Sequence, residues 1–165
     1  MKLKLLPLNK EHLEFVRKVR NNPRINKYLF IDAHISKKDQ EKWYKKLLED
    51  KKHFVFIAFD GVPVGYGQVK NIDCVTCSCE LGFCVAPEYQ GKGYGAMLIK
   101  KLTEYVVREL DMRRLYLEAF ADNRKVIKLY EKCGFRKEKI LHDKIFKDGN
   151  FKDVVVMSII RGKRR

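Results

Sequence analysis

Hydrophobic and polar positions alternate over residues 2–6, which predicts a first strand. The period then changes. Leu13, Val16 and Val19 recur at helical spacing behind Asn9, a good capping residue, so a helix should run to about Asn21. Asn21-Asn22-Pro23 should end it, because the residue before a proline is pushed out of helical backbone. A loop bearing Tyr28, Phe30 and His34 follows. Ser36 and Asp39 have capping-box spacing, with Asp in place of the usual Glu or Gln, and open a helix carrying Trp43, Leu47 and Leu48. In "HFVFIAFDGVPVGYGQVKNI" two β-rich runs meet at Asp60-Gly61, a hairpin signal. "CSCELGFCV" reads as another strand, and residues 95–109 space Leu98, Leu102, Tyr105 and Val106 as a helix. "RRLYLEAF" is a strand. Asp122 or Asn123 caps a helix that stops at Cys133-Gly134, where glycine supplies the left-handed residue. The chain closes on a hairpin around Asp148-Gly149-Asn150. The predicted order is βααβββαβαββ, one mixed α/β domain over residues 1–165 with 161–165 as a basic tail.

Composition sets limits on this picture. A chain of 165 residues with 45% apolar content can bury one sizeable core. No apolar run approaches membrane-spanning length, and the alternating N-terminus reads as a strand rather than a signal peptide, so no membrane partner and a cytoplasmic location are expected. Lys and Arg number 36 against 21 acids, a net +15. The charges are scattered along helix faces, so a solvated surface explains them. They leave nucleic-acid or ribosome contact open without favouring it. Of the five cysteines, Cys74, Cys77 and Cys79 crowd together, but no matching second pair or histidines accompany them. Reduced thiols, and no metal, are expected.

One stretch resists a purely structural reading. "YQGKGYGAMLIK" places Gly91, Gly93 and Gly95 between a strand and a helix. Such a junction offers free backbone N–H groups and the positive end of a helix dipole, so a phosphate or pyrophosphate can sit on it. The spacing fits neither a dinucleotide fingerprint nor a Walker loop, since Ala96-Met97 stands where Lys-Ser/Thr would be needed.

Gln90-x-x-Gly93-x-Gly95, inside "ELGFCVAPEYQGKGYGAMLIKKL", resembles the coenzyme A loop of the GCN5-related N-acetyltransferase superfamily. "LYLEAFADNRKVIKLYEKCGF" is similar to that superfamily's second signature, in the same order and at the same separation. The resemblance implies the superfamily's mostly antiparallel sheet flanked by helices and acetyl-CoA as cosubstrate. It also implies transfer of the acetyl group to an amine; because Cys84 and Cys133 have no obvious His partner, direct transfer in a ternary complex is expected. The resemblance implies that the pantetheine arm runs along Phe83, Cys84 and Val85, with the Val85 N–H polarising the thioester. Gln90, Gly91, Lys92, Gly93, Tyr94 and Gly95 would hold the pyrophosphate, and Asn123 and Lys128 would add contacts. Asn123 serves equally as a plain helix cap, and Lys128 and Lys92 as solvated lysines. Tyr130 would protonate the departing thiolate, against its alternative as a packing aromatic.

A base must take the proton of the attacking amine. Glu118 matches the base position of ribosomal-protein N-terminal acetyltransferases. Strand alternation sets it beside Tyr116 and Phe120. Glu80 is the rival. The acceptor, a small molecule or a peptide, is the least legible part. "RNNP", the aromatics after it, "HIS" and the Trp43 helix resemble the branch acetylating nucleotide-linked amino sugars, as in the pseudaminic-acid pathway. On this reading Tyr28, Phe30, His34 and Trp43 stack on sugar or base, and Arg17, Arg20 or Arg24 meets a diphosphate. Protein N-termini and polyamines are the alternatives within the superfamily, the latter opposed by the positive charge. A basic RNA- or ribosome-binding module on the same fold is the alternative outside it. Oligomeric state stays open.

Overall fold

The computed structural model describes residues 2–31 and 33–162. It contains β1 (Lys4–Pro7), α1 (Leu13–Asn21), α2 (Pro23–Asn26), α3 (Lys37–Glu49), β2 (Phe54–Phe59), β3 (Pro63–Asp73), β4 (Ser78–Val85), α4 (Tyr94–Tyr105), β5 (Arg114–Phe120), α5 (Arg124–Lys132), β6 (Arg136–Lys147) and β7 (Asn150–Ile160). The seven strands form one sheet in the order β1-β2-β3-β4-β5-β7-β6. Every neighbouring pair is antiparallel except β4–β5. This is the predicted mixed α/β fold.

Period-two burial explains the layers. On β2, Val55 and Ile57 join a cluster with Val16 and Val19 of α1. Phe56 and Ala58 point the other way, into a cluster with Leu98 and Leu102 of α4 and Phe135 after α5. α1 and α3 therefore cover one face, and α4 and α5 the other. The same alternation on β4 sends Leu81 and Val85 toward α4, and Cys84 toward α1.

Local chemistry sets most boundaries. Asn9 caps a short 3₁₀ turn, Lys10–His12, that leads into α1. The Ser36–Asp39 capping box is present, its two hydrogen bonds being 3.1 and 3.2 Å. Gly134, at φ +90°, closes α5. Three expectations needed correction. Pro23 ends α1 but also starts α2, because a proline is welcome at the first helical position, where its missing N–H has no partner to lose. Leu48 faces solvent, and α3 buries Gln40 and Tyr44 instead. The helix after the glycines stays regular only to Tyr105 and then widens into a π turn, Val106–Leu110. Of the basic tail, Arg161 and Gly162 are described, and 163–165 lie outside the described residues. No described helix is long and apolar enough to cross a membrane.

Candidate active site

β4 and β5 pair only from Ser78–Arg114 to Glu80–Tyr116, and no ladder pair joins them further along. Leu81 to Val85 thus have a strand neighbour, β3, on one edge only. The Ala86 N–H donates to the Val64 carbonyl at 2.9 Å, which makes Gly65–Val85 a non-hydrogen-bonded pair of the ladder. By alternation, the backbone groups of Leu81, Phe83 and Val85 point into the gap, while those of Gly82 and Cys84 bond to β3. An extended ligand can pair with Phe83 and Val85 as a strand would. Cys84 departs from expectation: its backbone pairs with Tyr66, and its thiol donates to the Tyr66 hydroxyl at 3.3 Å.

The glycine loop sits at the end of this gap. The Gln90 side chain turns back and donates from Nε2 to the Val85 carbonyl at 3.2 Å, which leaves the Val85 N–H as the free group there. Gly91 and Gly93 have φ of +79° and +86°, backbone that a side chain would strain. Gly93 is the residue from which α4 starts, so the first N–H groups of that helix open on the loop. Gly95 answers a different demand. A Cβ there would lie 2.9 Å from Leu129 Cδ2, so α4 and α5 meet at this point. The Tyr94 hydroxyl donates to Asp60 Oδ2 at 2.9 Å and ties the start of α4 to the β2–β3 turn.

A cavity of about 890 Å³ runs through the gap. Glu80, Phe83, Cys84, Val85, Gln90, Gly91, Gly93, Tyr94, Gly95, Glu118, Asn123, Lys128 and Tyr130 all line it. Lys92 does not: it is exposed, with its ammonium 5.4 Å from the Tyr89 ring centre. Asn123 caps α5 by accepting the Val126 N–H, so the cap reading is realised while the residue still faces the cavity. Lys125 and Lys132 line the cavity beside Lys128. Their helical spacing was visible in the sequence, but nothing there said which face of α5 the cavity occupies.

Tyr130 is buried, with its ring 6.1 Å from that of Phe83 and 6.3 Å from that of Phe135. Burial, then the charges of Cys84 and Glu80, push its phenol well above the ordinary value. It stays protonated at neutral pH, as a proton donor must. Burial likewise pushes the Cys84 thiol up to about 11, so it is no thiolate nucleophile.

Glu80 is buried, with Lys70 Nζ 3.0 Å from Oε1 and Asn71 Nδ2 donating to Oε2 at 2.7 Å. Asn71 reaches it from a bulge in β3, at φ +52°. Glu118 has its expected neighbour Tyr116 on the same side of β5, but Lys144 Nζ stands 2.7 Å from its Oε2, a contact that strand alternation could not reveal. His53 was missed altogether. It lines the cavity, its Nε2 is 3.0 Å from Gln68 Oε1, and burial holds its pKa below the ordinary value. A half-buried neutral imidazole is suited to accept a proton.

An open strand edge, a glycine loop at a helix start and a buried tyrosine beside both form one constellation, and family comparison agrees. The acetyltransferase (GNAT) family's sequence profile matches residues 19–135. The chain belongs to the GNAT acetyltransferase family. As a family member it is an N-acetyltransferase with acetyl-CoA as its cosubstrate, and the open β4 edge, the loop and the α5 lysines fit that molecule. The Vibrio cholerae spermidine N(1)-acetyltransferase is 31% identical over 163 residues, 98% of this chain and 94% of that protein. A crystal structure of the V. cholerae spermidine N-acetyltransferase with CoA and spermine superposes with a TM-score of 0.91 at 31% identity, covering 96% of this chain and 95% of the other. The Campylobacter jejuni acetyltransferase PseH is 31% identical over 128 residues, 78% of this chain and 79% of that protein. These relatives reorder the acceptor classes: the polyamine alternative gains more support than the amino-sugar reading placed first from the sequence.

The far end of the acetyltransferase cavity contains Arg20, Arg24, Tyr28, Phe30 and Trp43, five of the seven residues expected at the acceptor. Arg17 is instead paired with Glu14 at 2.8 Å, and His34 lines a separate cavity of about 230 Å³. Among the described residues, no three His, Cys, Asp or Glu side chains gather as a metal site.

Proposed function

We propose that this acetyltransferase moves an acetyl group directly from acetyl-CoA to a primary amine of a polyamine, with both substrates bound at once. The observation that carries the acceptor class is the end-to-end similarity to spermidine acetyltransferases, 31% identity over 98% of the chain. Acetyl-CoA supplies the activated acetyl thioester. In the chain, the Val85 N–H stabilises charge on the thioester oxygen, and the glycine loop with Lys128 holds the phosphates. The amine attacks the acetyl carbon; the C–N bond forms, the C–S bond breaks, and Tyr130 protonates the leaving sulfur. Glu80 takes the amine's proton. We prefer it to Glu118 because it is buried and sits on β4, the strand whose open edge would hold the pantetheine arm. Raised thiol pKa values at Cys84 and Cys133 support a path without a covalent enzyme intermediate.

A second reading, an acceptor bearing an anionic group such as a nucleotide-linked amino sugar, has one specific observation in its favour. Both carboxylates in the cavity are ion-paired with lysines, and Arg20 and Arg24 line the same end. A polyamine would share Glu80 with Lys70 or Glu118 with Lys144. Thiol release from acetyl-CoA with spermidine, a nucleotide-linked 4-amino sugar and a ribosomal-protein N-terminal peptide separates the readings. Turnover with spermidine alone supports the first. Turnover with the sugar and none with spermidine overturns it in favour of the second.

A further inference from the structure

Lys147, the last residue of β6, is 1% exposed. A lysine so deeply buried normally has a carboxylate partner. Among the described residues this one has none. Its ammonium instead donates to the Asn26 carbonyl at 2.7 Å, to the Leu29 carbonyl at 2.9 Å and to the Ile31 carbonyl. A lysine has three N–H donors, and all three are used. The carbonyls belong to the end of α2 and the segment after it, which are 116 to 121 residues away in sequence.

That segment is held on one side by Ile25 and Leu29, which pack against Val16 and Val19 of α1, and by Asn26 Nδ2 donating to the Arg20 carbonyl at 3.2 Å. α2 is four residues long. Backbone bonds from Tyr28 to Ile25 and from Leu29 to Asn26 continue one turn, and then no regular element is found among the described residues before α3. Yet Arg24, Ile25, Tyr28, Leu29, Phe30 and Ile31 form one wall of the cavity. Lys147 itself is not among the cavity's lining residues. Its partners' carbonyls meet the ammonium that the end of β6 supplies. On the other flank, Phe30 packs edge-on against Phe120 of β5 at 4.8 Å. Packing at Ile25, Leu29 and Phe30 thus fixes the wall's apolar side, and the Lys147 ammonium fixes its backbone.

We propose that Lys147 is a positioning residue that latches the acceptor wall to the β6–β7 hairpin and sets acceptor affinity without touching the acceptor. All three donors of the ammonium are taken up by carbonyls of that segment, so the contact holds the wall in one arrangement. Released, the wall loses three strong bonds at once and gains conformations that cannot bind. The inference rests on the reading above that this end of the cavity takes the amine.

The test uses Lys147→Met, which keeps length and removes all three donors, and Lys147→Gln, which keeps part of them. In Lys147→Met, amides of residues 27–31 should exchange hydrogen about tenfold faster or more, while those of α4 and α5 are unchanged. Coenzyme A affinity should stay within about twofold, and the acceptor KM should rise about tenfold with a much smaller change in kcat. Lys147→Gln should fall between. Unchanged exchange over 27–31, or an unchanged acceptor KM, overturns the latch. So does failure of both variants to fold, which would make Lys147 a folding residue. If wild type turns over no amine, the proposed function fails, and the exchange experiment still decides the latch.

Discussion

Replacing Tyr130 with Phe isolates one atom. The phenol oxygen makes no hydrogen bond to another described residue, and Tyr130 lines the cavity. The ring, packed against Phe83 and Phe135, is retained. Stability should therefore change by less than about 1 kcal/mol, since no protein hydrogen bond is lost. Coenzyme A affinity should also hold. Turnover should not. A positioned proton donor is worth about 100- to 10,000-fold, or about 2.7–5.5 kcal/mol of barrier. The raised pKa keeps the phenol loaded with its proton through the neutral range, so the deficit should be nearly constant there rather than appear only at high pH. The assay is initial-rate thiol release with both substrates saturating, paired with calorimetric titration of coenzyme A and a thermal melt. Turnover within about threefold of wild type, with the fold intact, would refute the reasoning and return Tyr130 to a packing role.

Further perturbations separate the parts. Gly95→Ala puts a Cβ 2.9 Å from Leu129 Cδ2, the movable tip of a side chain, and gains helix propensity, so stability should stay within about 1 kcal/mol while coenzyme A binding weakens in titration. Gly93→Ala meets open space but strains a φ of +86°, so a loss of about 1–2 kcal/mol is expected in urea melts. Burial raises the Cys84 thiol from 9.0 to about 11, so its contribution is complete below pH 9 and is lost as pH rises toward 11. Urea midpoints measured across that window should decline more steeply in wild type than in Cys84→Ala, and equal slopes would contradict this. Glu80→Gln should reduce kcat more than Glu118→Gln across the pH profile; the reverse order would restore Glu118 as the base.

The elements were legible in sequence because their signals are local. Ser36 and Asp39 are three residues apart, Gly134 stands just past the Cys133 cap of its helix, and β2 is a short β-rich run ending beside Asp60-Gly61. The two signatures around the glycine loop and Tyr130 are also short, and the cavity gathers nearly all of them. What escaped lies across the sheet. Lys70 and Glu80 meet because β3 and β4 pair at that register, and Lys144 meets Glu118 across 26 residues. His53 becomes a cavity residue only once Gln68 is beside it. Lys147 is one of 36 basic residues in the sequence and becomes distinctive only when buried against a backbone more than a hundred residues away. The acceptor end is built from such contacts, and so it was read least well.

The central claim is acetyl transfer from acetyl-CoA to a free primary amine. It is tested most directly by incubating the protein with acetyl-CoA and spermidine and measuring released thiol together with the mass of the polyamine. The account predicts thiol and monoacetylated spermidine in equal amounts, with initial-rate plots that intersect as a ternary complex requires. Coenzyme A binding with no acetylated product from spermidine, the amino sugar or the peptide would contradict it.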